Sequence, residues 1–527
     1  MIFAFCISSY VLIKLFESNN DIPLYFYPLI QFSQNHIDLS LRLDLYVSTL
    51  ISVITFVSSI VFIYSINFFQ NRYLNLKLIR NFSLLIFGML IIISSNNLIQ
   101  FYIAWQIILF SFFLLSNRLD KNHIIVKNSK IFLHNRISDL GLFLSLYLLY
   151  TINYSIYFET IFESNNLVEN NILFLGTIIN KTELAVGLLF LSFILRLRQF
   201  FIPNCIYDIS NINIPTLTLI FCSSIIPLIV FFIFRFFPLI HSTPNLLNIV
   251  TGLSFCLTII FIYLSLNTTN IKCVISYLVS SKACIIFYIF CLEEYHAAIF
   301  LFITLSLSIT MLYLCLGFVI TKLNNISNVK NMGGLIFKMP SMFLFTLIAF
   351  LSIAGIPFFS GYYSNEVIVS SFYFSHQTLF VPSLLLGITV SFLISYVFLK
   401  NISLIFLGNN KSNIHQFNKI NEDSVTNKII FFFLGLCVIF TGLFIKDLFD
   451  NANAQYFWSL LIFNDVGFSI RPNISSSHIF KNILIFSSLL GMFFAFFNYI
   501  LMPFALKNYK LKYYKIFILY NKFFLRL

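Results

Sequence analysis

The sequence predicts an all-α polytopic membrane protein of roughly fourteen or more transmembrane helices. Three observations carry that prediction. Of the 527 residues, 59% are hydrophobic and 10% are charged, with a mean hydropathy of +0.91. Soluble domains average about 25% charged residues, so this chain lacks the polar side chains to cover a water-facing surface. The apolar residues also gather in long runs: Leu45–Asn71, Pro215–Phe234, Thr251–Asn270, Met339–Asn365, Val367–Leu399, Ile429–Ile445 and Asn482–Leu506, uncharged apart from His376. A helix needs about 20 such residues to cross the hydrocarbon core. Finally, the runs do not alternate polar and apolar residues as barrel strands do. Backbone groups in lipid must be paired internally, which leaves helices.

Along the chain, the first segment, MIFAFCISSYVLIKLF, has no basic start and no small-residue cleavage site, so it does not read as a signal peptide. It lacks the Arg- and Ser-rich character of a transit peptide as well. The 69 Phe and 27 Tyr, with abundant Ile and Asn, are residues of AT-rich codons and point to synthesis inside an organelle. The polar stretches Glu159–Asn171, Gly408–Lys428 and Asn451–Lys481 read as loops, the second as the most linker-like. No soluble domain is visible. One membrane domain is expected over residues 1–505, followed by a basic tail over 506–527.

The net charge of +13 is a topology signal rather than a nucleic-acid one, and no nucleic-acid partner is expected. Basic residues gather at Arg72, Lys77 and Arg80, then at Lys507, Lys510, Lys512, Lys515, Lys522 and Arg526. Basic loops favour the side from which insertion occurs. The tail either anchors at the interface or binds anionic lipids such as cardiolipin. The nine cysteines show no C-x-x-C pair. Cys222, Cys256, Cys284 and Cys315 sit in apolar runs as small hydrophobes, so no metal site is expected.

Inside the runs, Gly355-Ile356-Pro357 and Gly361 mark a place where a helix breaks or kinks. Proline removes a backbone donor and clashes with the preceding turn. Transporter folds use broken helices beside an ion path, although Gly and Pro are common in membrane helices generally.

Several stretches, in order, resemble the NADH dehydrogenase subunit 5 family, the distal antiporter-like membrane subunits of mitochondrial respiratory complex I. Ser95–Gln100 leading into Ala104-Trp105 is similar to "DNxxQLFxGWE", and Asn135–Gly141 to "NRIGDFG". Gln199, Asp208 and Pro215 with Leu219-Ile220 keep the spacing of "QxPxxxWLxDAMxGPTPVSALIH". Asn270-Ile271-Lys272 with Ser276-Tyr277 is similar to "NDIKKxxAYST", and Met332–Leu335 with Lys338–Pro340 to "MGGLxKxMP". Ala354–Ser364 is the strongest match, to "AGIPPFSGFFSKD". Gly442–Asp447 is similar to a later family segment.

The resemblance implies two inverted five-helix repeats with broken helices, and a mid-membrane chain of ionisable residues that passes protons. Buried lysine shifts its pKa readily, and a carboxylate partner sets when it lets its proton go. Read residue by residue, that chain has lost much of its chemistry. Gln106 stands at the glutamate position, Arg196 at the pump lysine, and Phe221 at the histidine after Leu219-Ile220. Leu301, Leu305 and Ile309 replace His, His and Lys, and Asn365 replaces the lysine of "SKD". Asp139, Lys272 and Glu366 survive as titratable groups. Arginine keeps its proton and is a poor shuttle.

The expectation is therefore an antiporter-like membrane-arm subunit of proton-pumping NADH:ubiquinone oxidoreductase with an impaired proton path. It is a component of an enzyme rather than a catalyst alone. Its place is the mitochondrial inner membrane, beside other membrane-arm subunits. No cofactor is expected on this chain; NADH, FMN, iron–sulfur clusters and ubiquinone belong to other subunits. Two alternatives stay open: a pumping subunit using a displaced route through Glu366, Lys272, Lys282 and Glu293-Glu294, with His296 as a shifted relay, or the large subunit of a multi-subunit cation/proton antiporter. Arg136 and Asp139, three residues apart on a helix, either neutralise each other or relay protons. Arg196 and Arg198 are candidates to pair with Glu183 or Asp208, and His376 reads as a core histidine. The family's lateral helix would follow Tyr520–Phe524, and the expectation is that it is missing or supplied by a separate polypeptide.

Overall fold

The computed structural model describes residues 1–18, 22–31, 36–68, 72–116, 122–164, 171–174, 177–196, 213–374, 377–411, 417, 422, 425–450 and 478–501. Helices dominate them. In chain order these are α1 (Ile2–Ser18), α2 (Leu45–Phe68), α3 (Arg72–Ser94), α4 (Leu98–Ser116), α5 (Asn122–Asn153), α6 (Phe158–Ser164) and α7 (Lys181–Arg196). Next come α8 (Ile214–His241), α9 (Pro244–Asn267), α10 (Ile271–Cys291) and α11 (Tyr295–Lys322). The chain continues with α12 (Pro340–Ala354), α13 (Ser360–Phe374), α14 (Gln377–Ile402), α15 (Val425–Ile445), α16 (Asp447–Asp450) and α17 (His478–Phe496). Among the described residues, ten helices are long and apolar enough to cross a membrane, and α12 is a shorter apolar helix. The larger figure expected from sequence counts shorter candidates, and some of its segments lie outside the described residues.

Two antiparallel hairpins depart from the all-helical expectation. One pairs β1 (Ile22–Gln31) with β2 (His36–Leu43), and the other pairs β3 (Asn171–Phe174) with β4 (Thr177–Asn180). Both lie in connections between helices. There water satisfies strand edges, which the hydrocarbon core does not allow.

Helix α11 is the axle of the bundle. It packs on α2, α8, α10, α12, α13 and α15, and 94% of its most apolar window is buried. A helix hydrophobic all round belongs in such a place. By contrast, 28% of the most apolar window is buried in each of the spans Val425–Ile445 and Asn482–Leu501, which present Phe432, Phe433, Phe440, Phe486 and Phe493 outward. In a membrane protein such an apolar surface meets lipid or neighbouring apolar chains.

Proline shapes α8. Pro227 has no N–H for the carbonyl of Ser223, four residues earlier, so the ladder slips to a π turn over Leu219–Ile225. The hydroxyls of Ser223 and Ser224 donate to the carbonyls of Leu219 and Ile220 at 2.6 and 2.5 Å.

Contacts define two ends of the bundle. At the hairpin end, Leu41 bridges Ser95, Asn97 bridges Tyr157, and the Asn97 amide donates to the Asp38 carbonyl at 2.7 Å. Here Arg235 meets Asp44 at 3.2 Å, Arg42 meets Asp44 at 2.6 Å and Glu159 at 2.7 Å, and the Arg235 guanidinium lies over the Phe158 ring. His241 also meets Glu293 at 3.3 Å. At the opposite end, Asn67 bonds Thr426 and Asn427, and Asn270 bridges Asn328. Glu422 there accepts from the backbone N–H groups of Ser341 and Met342 at 3.0 and 3.3 Å. A carboxylate suits the positive N-terminus of α12.

Candidate functional site

The expected break is present. Helix α12 ends at Ala354, and Gly355 caps it at φ +75°, a left-handed conformation that favours glycine. Gly355 N–H donates to Ser352 O and Ile356 N–H to Leu351 O, both at 3.1 Å, the double closure of a Schellman cap. Pro357 lies in the gap, and α13 starts three residues later at Ser360. The two half-helices then close tightly. A Cβ on Gly361 would stand 1.7 Å from the Ser352 carbonyl oxygen, and one on Gly355 1.9 Å from the Asn365 amide nitrogen. Gly361→Ala is therefore expected to cost about 3 kcal/mol through overpacking against backbone. Thermal unfolding of the purified protein would measure that cost.

Asn365 thus lays its amide on the break itself. Glu366, the next residue, is paired instead. Its carboxylate accepts from the Lys446 ammonium at 2.9 Å, and Lys446 also lies 5.6 Å from the Tyr363 ring centre. The sequence reading missed Lys446 as a partner because 80 residues separate it from Glu366.

At the α4–α5 interface, Gln106, Arg136 and Asp139 come together. Arg136 donates to the Gln106 carbonyl oxygen at 3.1 Å and to Asp139 at 3.2 Å, while the Trp105 indole donates to the other Asp139 oxygen at 3.1 Å. Asp139 is buried and held on both oxygens. The arrangement neutralises its charge locally, and glutamine offers it no group that changes protonation.

Three positions on α11 are apolar and buried. Leu301, Leu305 and Ile309 are 1%, 3% and 2% exposed on α11. The hydroxyls of Thr304, Ser306, Ser308 and Thr310 on the same helix donate to its own carbonyls. Phe221, in the π turn of α8, stacks on Tyr313 of α11 with ring centres 5.6 Å apart. No proton-carrying side chain is offered by these positions.

Lys272 sits in the first turn of α10, where its backbone N–H meets the Asn270 side chain at 3.2 Å. Lys282 is buried nearly three turns further along, and His296 lies 3.6 Å from Glu294 at the start of α11. Arg196 ends α7, but its side chain, like Arg198, Gln199, Asp208 and His376, lies outside the described residues. Cys222, Cys284 and Cys315 are buried, whereas Cys256 faces outward from α9. Among the described residues no His, Cys, Asp and Glu group is arranged to hold a metal.

Residues 95–391 match the model of a family described as NADH:quinone oxidoreductase/Mrp antiporter, transmembrane. NADH-ubiquinone oxidoreductase chain 5 of Acanthamoeba castellanii is 28% identical over 451 residues, covering 84% of this chain and 65% of that one. The protein of the same name from Chondrus crispus is 27% identical over 428 residues, covering 78% and 63%. NADH-quinone oxidoreductase subunit L of Buchnera aphidicola is 31% identical over 343 residues, covering 63% and 53%. The chain therefore spans from about half to just under two thirds of the length of these relatives. Among solved structures, a chain of the Mrp complex from Dietzia sp. superposes with a TM-score of 0.71 at 12% identity, covering 88% of this chain and 91% of that one. At that identity the likeness is one of fold.

Proposed function

The chain belongs to the NADH:quinone oxidoreductase/Mrp antiporter transmembrane family, and from that premise we propose that it is a membrane-arm subunit of a proton-translocating NADH:ubiquinone oxidoreductase whose own proton axis is interrupted. The names of its sequence relatives support the assembly, and the antiporter-like fold supports the position within it. One observation carries the interruption: Leu301, Leu305 and Ile309 lie buried on the central helix, with Ile309 one turn before Tyr313, which stacks on Phe221. A proton there has no partner, and a bare charge in that setting costs several kcal/mol.

On this reading the subunit resides in the mitochondrial inner membrane, is encoded in the organelle and contacts other membrane-arm subunits. NADH, FMN, the iron–sulfur clusters and ubiquinone are handled by those other parts of the complex, and this chain does no redox chemistry itself. The basic tail meets anionic lipid such as cardiolipin. The end carrying Lys77, Arg80, Lys322, Lys330, Lys338, Lys411 and Lys428 faces the matrix, by the preference of basic loops for the insertion side. The hairpin end then faces the intermembrane space.

The test is the proton-to-electron ratio of the native complex in inner-membrane vesicles. It is expected to fall below that of a complex whose matching subunit carries His, His and Lys at the three α11 positions. An equal ratio overturns the interrupted axis, as does a continuous file of ordered water past Ile309 in a high-resolution structure of the complex.

A further inference from the structure

We infer that Lys446, just past the end of α15, supplies the ammonium absent at Asn365, so that Glu366 and Lys446 form a proton-exchange pair open to the hairpin end alone. This rests on the interrupted-axis reading above.

The pair belongs to a strip where α13 and α15 touch closely. A Cβ on Gly442 would stand 2.5 Å from the Cα of Ser360 and 2.9 Å from the Tyr363 ring, so glycine lets the two backbones meet. One turn beyond Gly442, Lys446 reaches past Tyr363 to Glu366. The Glu366 side chain is 10% exposed and that of Lys446 is 28% exposed, so the carboxylate is sheltered and the ammonium opens to the surface. In the same strip the Ser360 hydroxyl is fully buried with no hydrogen-bond partner, as is the hydroxyl oxygen of Thr441, next to Gly442. Buried hydroxyls without partners are uncommon and suit a site that takes up water or a proton carrier.

The direction of opening follows from the ring contacts. Phe449, three residues past Lys446, stacks on Phe300 with centres 5.0 Å apart, near the start of α11. Tyr295, at that start, packs on Phe234 and Phe237, which flank Arg235 of the Asp44 network. The pair therefore lies toward the hairpin end, and Leu301, Leu305 and Ile309 separate it from the other. Elements packed on α13 also carry Lys272 and Lys282 on α10, His296 on α11, Lys400 on α14 and Lys428 on α15; Lys446 stands at 2.9 Å.

A carboxylate beside an ammonium holds its proton weakly, and loss of the ammonium raises its affinity for the proton. The experiment uses the intact complex in right-side-out and inverted inner-membrane vesicles, treated with N,N′-dicyclohexylcarbodiimide, which attacks protonated carboxyl groups in apolar surroundings. Modification of Glu366 is read by peptide mass spectrometry. Labelling is expected to rise as pH falls on the hairpin face and to ignore the pH of the other face. Lys446→Met is expected to move the labelling midpoint upward by about one to three pH units, with Lys446→Arg close to the parent. The sidedness of the parent complex is read without any variant, so an unstable variant leaves that arm intact. No labelling at any pH, or a midpoint unmoved in Lys446→Met, overturns the exchange pair and leaves the interrupted axis standing. Labelling that follows the pH of both faces overturns both.

Discussion

Asp44→Asn is expected to destabilise the folded subunit by about 3 kcal/mol, more than other single charge changes at the hairpin end. Asp44 holds two arginines, Arg42 at 2.6 Å and Arg235 at 3.2 Å. Arg235 is the sheltered one, with a side chain 9% exposed. Taking away its carboxylate strands a charge that water reaches poorly, and stranding a buried charge costs more than the intact pair contributes. Its bond to the Ser95 carbonyl and its place over Phe158 soften the loss without replacing the negative charge. Arg42→Gln is the control. Its second partner, Glu159, has a side chain 46% exposed, and surface pairs are worth about 1 kcal/mol or less. Thermal inactivation and native-gel yield of the complex would rank the two. If Arg42→Gln proves the more damaging, the pairing is not what holds this end together.

The second large effect concerns the bundle centre. Ile309→Lys restores the residue type that the family resemblance leads one to expect, yet is expected to destabilise by about 3 kcal/mol, the cost of a lysine at the middle of a membrane helix. Ile309 is 2% exposed, with Leu305 one turn before it and Tyr313 one turn after. A lysine there finds no carboxylate on its own helix. The complex is expected to assemble in reduced yield with no gain in protons moved per electron. A stable variant with a raised ratio would show that water already reaches the position. Ile309→Met, which preserves volume and polarity, is expected to behave as the parent.

These expectations differ in how far the sequence exposed them. The membrane class was legible because runs such as Leu45–Asn71 and Ile429–Ile445 are too long and apolar for anything else, and helices α2 and α15 occupy them. The break was legible because Gly355, Pro357 and Gly361 carry local backbone rules that no packing overrides. The apolar side chains of Leu301, Leu305 and Ile309 were plain in the sequence, and their burial follows from an uninterrupted apolar helix. Other features depend on contacts distant in sequence. Lys446 is unremarkable beside Asp447 until α13 and α15 pack together. Arg235 closes the apolar run that starts at Pro215, a signal available in the sequence, but its partner Asp44 lies 191 residues away. The π turn in α8 needed Pro227 to be read against the carbonyl four residues earlier. The β1–β2 hairpin was missed because its segments, IPLYFYPLIQ and HIDLSLRL, carry proline and mixed polarity where a loop reading is the simpler one.

The seam of α11 has a consequence for the membrane as an electrical barrier. Across a respiratory membrane every elementary charge that slips back releases about 2.3 kcal/mol per 100 mV. A hydrated row of titratable groups is a standing liability there, since any lapse in gating shorts the potential. On the interrupted-axis proposal, the buried Leu301, Leu305 and Ile309 act as an insulator. On that proposal such a subunit would contribute nothing to the voltage and would dissipate none of what its proposed neighbours generate.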